Sequence, residues 1–171
     1  SNPMRRSAAP PLDRKIRSAR RLTPVVARLQ RQGRRLVFTN GCFDLLHVGH
    51  VTLLERAKRL GDLLIVGLNS DRSVRAMKGP GRPILPQRDR ARLLAALASV
   101  DYVTMFDEPT PERLIARLKP DVLVKGADWS AADIVGQELV RRRGGRVVRV
   151  PLLDRYSSTR LVNQIARHQR G

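Results

Sequence analysis

The 171 residues include one cysteine, one Trp, two Tyr, three Phe, and only 15 acids against 34 Lys and Arg. Each shortage excludes something. A single cysteine cannot build an internal disulfide framework, which favours a reducing compartment. No run approaches the roughly 18 uncharged apolar residues that a membrane span needs. The first residues also lack the apolar segment of a signal peptide, so a cytoplasmic protein with no membrane partner is expected. Too few aromatics interleave with the basic residues to stack nucleic-acid bases, and this sets nucleic acid aside despite the net charge of +19. The shortage of acids is itself uneven. Residues 1–35 carry 11 basic groups and a single acid, Asp13. Arginine accounts for most of the excess, which a GC-rich coding background explains as readily as a ligand does.

What remains is the composition of an ordinary globular domain. At 42% hydrophobic residues and this length, one core forms without disulfide or structural metal. Ser1-Asn2-Pro3 ahead of Met4 reads as a cloning remnant. Residues 1–17 are expected to be a basic, poorly ordered arm, and residues 18–171 the folded domain. Thr23-Pro24 reads as a helix start, with Val25, Val26 and Leu29 as its apolar stripe and Gly33 as its stop. From Arg35 onward, short apolar runs alternate with helical periodicity. Residues 36–38, 63–68, 102–106, 122–124 and 146–150 read as strands. Residues 48–60, 70–77, 87–99, 111–118, 132–142 and 157–167 read as helices. Leu93, Leu94 and Leu97 should point inward, and Leu161, Val162 and Ile165 share a face. The strands are apolar without alternation, as in a parallel sheet covered on both sides. The expected fold class is α/β: a doubly wound, Rossmann-like five-stranded parallel sheet in a single domain. Ligands of such sheets sit beyond the carboxyl ends of the strands.

Behind the first strand stands Thr39-Asn40-Gly41-Cys42-Phe43-Asp44-Leu45-Leu46-His47-Val48-Gly49-His50. Two of the three histidines fall here, where a helix begins, and their spacing puts both imidazoles on one side. Gly49 leaves room for a phosphate near the backbone, and the free N–H groups of the helix start attract anions. Two imidazoles over such a site can hydrogen-bond phosphate oxygens as charge builds there. A plain capping role for both rings is the competing reading. A metal pair lacks further N or S donors, His168 lying in the tail, so no metal site is expected. Cys42 reads as a small hydrophobe at a strand end.

The H-x-G-H at 47–50 resembles the signature of the nucleotidylyltransferase superfamily. The likeness continues through TNGCFDLLHVGHVTLLERAKRLGD, LNSDRSVRAMKGPGRPILP, VDYVTMFDEPTPERLI, KPDVLVKGADW and YSSTRLV. In that order these segments resemble the D-glycero-β-D-manno-heptose 1-phosphate adenylyltransferase family of ADP-heptose synthesis, over roughly residues 33–167. The resemblance implies transfer of AMP from ATP to heptose 1-phosphate, for lipopolysaccharide core biosynthesis. Mg²⁺ would be held mainly through the ATP phosphates. In many bacteria the domain is fused behind a sugar kinase; here the resemblance implies a separate heptose kinase upstream. A homodimer stays open.

The resemblance also distributes roles. His47 and His50 would stabilise the α-phosphorus, and Lys58, two turns on, would neutralise phosphate charge. Thr39, Asn40, Gly41, Phe43 and Gly49 would cradle the nucleotide. So would Lys125, Gly126 and Asp128 after the fourth strand, and Tyr156, Ser157, Ser158 and Thr159 at the last helix. Lys78, Arg82, Trp129 and Asp44 would hold the sugar phosphate, although Asp44 could equally orient an imidazole or cap the turn. Two rival functions stand beside this one: a cytidylyltransferase for glycerol 3-phosphate or a similar alcohol phosphate, and a basic nucleic-acid-binding protein.

Overall fold

A computed structural model describes residues 11–153 and 155–170. Its strands are β1 (Leu36–Gly41), β2 (Leu63–Asn69), β3 (Tyr102–Phe106), β4 (Val122–Gly126) and β5 (Arg146–Val150). All pair in parallel, in the order β3-β2-β1-β4-β5. The helices are α1 (Ala19–Arg31), α2 (Val48–Lys58), α3 (Asp71–Lys78), α4 (Gln87–Ala95), α5 (Glu112–Leu118), α6 (Gln137–Arg142) and α7 (Ser158–His168). The order makes β1 the switch point, with β2 on one side and β4 on the other. A crevice therefore opens at the carboxyl ends of β1 and β4. None of the described helices is long and apolar enough to cross a membrane.

Successive strand residues feed opposite layers. Val37, Leu64 and Val66 pack with Leu54 and Ala57 of α2 and Leu94 of α4. Leu36, Phe38 and Ile65 pack with Leu22 and Val26 of α1, Leu114 and Ile115 of α5, and Val140 of α6. Burial on both faces explains why the strands carry no polar alternation. Each of these side chains except that of Ala57 contributes about 1.5–3 kcal/mol when fully buried. At the amino ends of the strands, three aspartates accept backbone N–H groups: Asp62 from Arg35, Asp121 from Leu36 and Asp101 from Leu64. That edge is closed with fixed polar pairs, while the opposite edge stays open.

Several expectations shift. Ser18, not Thr23, caps α1 by accepting the Arg21 N–H, and Pro24 lies inside the helix. Pro24 is tolerated because it sits in the second turn on an exposed face, where its missing N–H is cheap to lose. Leu93 is exposed while Leu94 is fully buried, so the α4 stripe runs one residue later than the apolar cluster suggests. The helix expected over 132–142 is broken at Gly136, where φ is +84°, leaving one 3-10 turn and the short α6. The arm is the largest correction. Residues 1–10 lie outside the described residues, but 11–17 are folded against the sheet. Ile16 bridges Val103 in parallel, Arg17 N–H donates to Val103 O, and Lys15 Nζ donates to the carbonyls of Leu97 and Val100. Leu12 and Ile16 rest on the α2–α4 side of the core.

Candidate functional site

The β1–α2 turn is built on a reciprocal cap. His47 N–H donates to Nδ1 of His50 at 3.2 Å, and His50 N–H donates to Nδ1 of His47 at 3.4 Å. The rings stack with centroids 3.8 Å apart. An Nδ1 that accepts is unprotonated, so the neutral ring carries its proton on Nε2. Burial pulls the pKa of His47 down. The same burial, with the His47 and Lys78 charges nearby, pulls His50 down to about 4. Both imidazoles are neutral at physiological pH and present Nε2–H donors away from the helix. Capping therefore occupies one nitrogen of each ring, Nδ1, and does not compete with a role for the other.

The surroundings explain the small residues of the turn. A Cβ on Gly49 would fall 2.8 Å from His47 Cε1 and 3.1 Å from Tyr156 Cβ, so glycine makes room for the ring itself. Phe43 sits at φ +49°, a left-handed conformation uncommon for an aromatic residue, with its ring edge-to-face on His50 at 5.2 Å.

Two clefts meet at these histidines. The larger, about 470 Å³, lies over the carboxyl ends of β1, β2 and β4; Asn40, Phe43, Asn69, Lys125 and Trp129 are among its walls. The smaller, about 310 Å³, is walled by His47, Gly49, Leu152, Tyr156, Ser157 and Thr159. His50, Lys78, Asp128 and Ser158 line both and so mark the seam. Ser157 caps α7 by accepting the Arg160 N–H, and Ser158 Oγ donates to Leu45 O, which fastens the amino end of α7 to the histidine turn. The amino ends of α2 and α7, with Lys78 and Lys125, make the seam attractive to anions.

Cytidylyltransferase-like proteins match the chain over residues 38–164. The chain belongs to the cytidylyltransferase-like family. It is a nucleotidyltransferase domain with the fold described above. It is 51% identical over 160 residues to a "Bifunctional protein HldE" of Syntrophotalea carbinolica, covering 93% of this chain and 33% of that protein. The same name belongs to a Magnetococcus marinus protein, 55% identical over 141 residues, covering 82% of this chain and 29% of the relative. The chain thus spans about a third of the length of the curated relatives it matches. A lipopolysaccharide core biosynthesis protein from Thermoplasma volcanium shares the fold at TM-score 0.58 and 29% identity, over 71% of this chain and 98% of the other.

Within this nucleotidyltransferase, not every residue singled out by sequence reaches the seam. Lys58 does not. Its Nζ binds the Asp101 carboxylate and the Asp62 carbonyl, both at 2.6 Å, at the closed amino edge of the sheet. An eleven-residue helix separates it from the histidines by about 15 Å. Thr39 is buried in the sheet, with Oγ1 bonded to Val124 O. Asp44, fully buried, accepts from Ile84 N–H, Leu85 N–H and Arg82 Nε. Those bonds hold its carboxyl below the usual range despite burial, and with Arg82 Nη2 donating to Asp44 O they tie the two side chains to the protein itself. Both are struts for the loop after Lys78. Gly126 lets the Asp128 carboxylate fold back over the strand end, where a Cβ would meet Oδ1 at 2.7 Å.

Sequence reasoning missed Arg90. Its buried guanidinium donates to the carbonyls of Cys42, Asn69 and Leu85 and to Asp71 Oδ1. One side chain thereby ties the carboxyl ends of β1 and β2 to the loop before α4. Its position on the α4 stripe, in step with Leu94, was the available signal. Asn69 and Thr110 of the larger cleft lie within the family-like segments without a role drawn from them, and Asp133 lies outside those segments.

Proposed function

We propose that this domain transfers AMP from ATP to D-glycero-β-D-manno-heptose 1-phosphate, giving ADP-heptose and pyrophosphate. The observation carrying this is the seam: two clefts of different chemistry meet at two neutral imidazoles whose Nε2–H groups are free. The five family-like segments, the HldE relatives and the lipopolysaccharide core neighbour support the heptose acceptor.

The nucleotide is assigned to the smaller cleft, its phosphates toward the amino end of α7 and the base toward Leu152 and Tyr156. Mg²⁺ arrives with it as MgATP, and Asp128 is the carboxylate common to both clefts that a phosphate-borne cation would meet. An oxygen of the acceptor phosphate attacks the α-phosphorus. The new P–O bond forms as the α–β bridge breaks, and pyrophosphate leaves carrying the electron pair. The acceptor is already anionic, so no protein base is required. His47 and His50 donate to the oxygens whose charge grows in the transition state, and the fixed rings need no reorganisation. The sugar phosphate is the product of a sugar-phosphorylating kinase reaction.

The test is pyrophosphate release with ATP, CTP, GTP or UTP, each with heptose 1-phosphate and Mg²⁺. ATP should give the highest kcat/KM. A higher value with CTP would replace this reading by a cytidylyl transfer.

A further inference from the structure

Lys125 ends β4 and is only 8% exposed, yet its ammonium donates no hydrogen bond and makes no ion pair among the described residues. Its Nζ stands over the face of Trp129, 5.1 Å from the ring centroid. A buried cation held only by a ring face is costly to the fold, so its retention calls for an anion from outside. Burial indeed pulls its pKa down to about 8, Asp128 opposing the shift. The amine therefore stays mostly charged near neutrality.

Position decides which anion. Lys125 lines the larger cleft and not the smaller one that holds Tyr156, Ser157 and Thr159. The rest of the larger cleft suits a polyol: the amide of Asn69, the hydroxyl of Thr110, the carboxylates of Asp128 and Asp133, and the exposed Trp129 ring. Asn40 adds a buried side-chain oxygen with no hydrogen-bond partner among the described residues. Asp133, which lines this cleft and not the smaller one, accepts hydrogen bonds from hydroxyls and repels a polyphosphate, so this wall fits many hydroxyls and one anionic end. Lys78, on the seam, lines this cleft together with Lys125.

We propose that Lys125 receives the phosphate of a polyol-phosphate acceptor and thereby selects that acceptor, leaving the triphosphate to α7 and the histidines. This rests on the assignment of the larger cleft to the acceptor, and it moves Lys125 from the nucleotide group to the acceptor group.

The experiment is calorimetry of heptose 1-phosphate and of MgATP on the wild type, Lys125→Met and Lys125→Arg, with KM and kcat on the same preparations. Lys125→Met keeps the aliphatic stem and removes the buried charge, so it should fold at least as stably as the wild type. The expected result is acceptor binding weakened tenfold or more in Lys125→Met, partly restored in Lys125→Arg, with ATP binding within twofold of wild type. Inorganic phosphate should compete for the acceptor in the wild type. ATP binding weakened with the acceptor unchanged overturns the proposal, and so does a Met variant that binds both normally. A wild type that binds heptose 1-phosphate through Lys125 but releases no pyrophosphate sinks the transfer reading and leaves this subsite standing. A wild type that binds no polyol phosphate sinks the subsite.

Discussion

His47 and His50 cap each other, each backbone N–H donating to the Nδ1 of the other ring. This single arrangement fixes the tautomer of both rings, starts α2, and leaves two Nε2–H groups without a hydrogen-bond partner among the described residues. It also separates two consequences of mutation that are usually entangled.

Replacing either histidine by Ala should lower kcat by roughly 10²–10³, the cost of removing one transition-state donor. ATP affinity should change far less, because only interactions that strengthen in the transition state accelerate the step. The lost cap should also cost about 1 kcal/mol of stability. His47→Asn restores an N-cap acceptor and should recover melting temperature more than turnover. The double Ala variant should lose less than the product of the single losses, since the rings act as a unit. A folded His50→Ala protein with near-normal kcat would remove the histidines from the chemistry.

The pKa of His50, about 4, gives a sign that can be measured. Its folded value lies below the ordinary 6.5, so between these limits the unfolded chain binds the extra proton. The stability linked to this residue is complete above about pH 6.5 and is lost as pH falls toward 4. Melting temperature should therefore drop on acidification, and His50→Asn should flatten that part of the profile. Nitrogen-15 spectra at pH 7 should show both rings neutral and protonated at Nε2. A charged imidazolium there would contradict the reciprocal cap.

The sheet was legible because each strand is an uninterrupted apolar run and each helix has its own period. Both are local signals. The errors share the opposite property. Lys58 finds its partner Asp101 43 residues away, and Ile16 pairs with Val103 across the whole first half of the fold. Nothing near 11–17 announces a strand edge waiting for it. Asp44 and Arg82 looked like ligands because charged residues in a glycine-rich loop usually face solvent; here they face each other. The histidine pair was legible as chemistry, whereas its tautomer required the geometry of the two Nδ1 contacts.

Lys58→Ala tests one of these corrections. The Lys58–Asp101 pair is about a third exposed on both sides, so its loss should cost no more than about 1 kcal/mol. kcat and both KM values should stay within about twofold, because the pair stands at the far end of α2. A hundredfold fall in kcat with an unchanged melting temperature would return Lys58 to the active site.

Removal of residues 11–17 tests another, measured against a chain that starts at Pro11. Leu12 and Ile16 would leave the core side of the sheet, and the carbonyls of Leu97 and Val100 would lose the Lys15 ammonium. Two partly buried aliphatic side chains and these bonds should be worth about 2–4 kcal/mol in urea unfolding. kcat in the protein that remains folded should change little, since this segment lies on the β3 edge and lines neither cleft. An unchanged unfolding midpoint would show that the segment contributes nothing to the fold.

Arg90 carries the last and most demanding expectation. Its guanidinium satisfies three carbonyls at once, and two of them, from Cys42 and Asn69, end the strands that support the clefts. Asp71 completes the fork at 2.8 Å. Arg90→Met fills most of the volume but leaves those carbonyls buried without donors, so a loss of about 3–5 kcal/mol is expected. Arg90→Lys keeps the charge but offers a point donor where a planar fork is needed, and can reach only some of the same acceptors. It should fold with reduced stability and show where the network matters for chemistry. If Arg90 only holds the protein together, the folded Lys variant keeps its kcat. If the spacing of the β1 and β2 ends sets the reach from the histidines to the bound phosphate, kcat should fall about tenfold or more while ATP affinity holds, since misplacement by about an ångström is enough for such losses. Unfolding free energy, kcat and ATP binding on the same Lys variant separate the two outcomes.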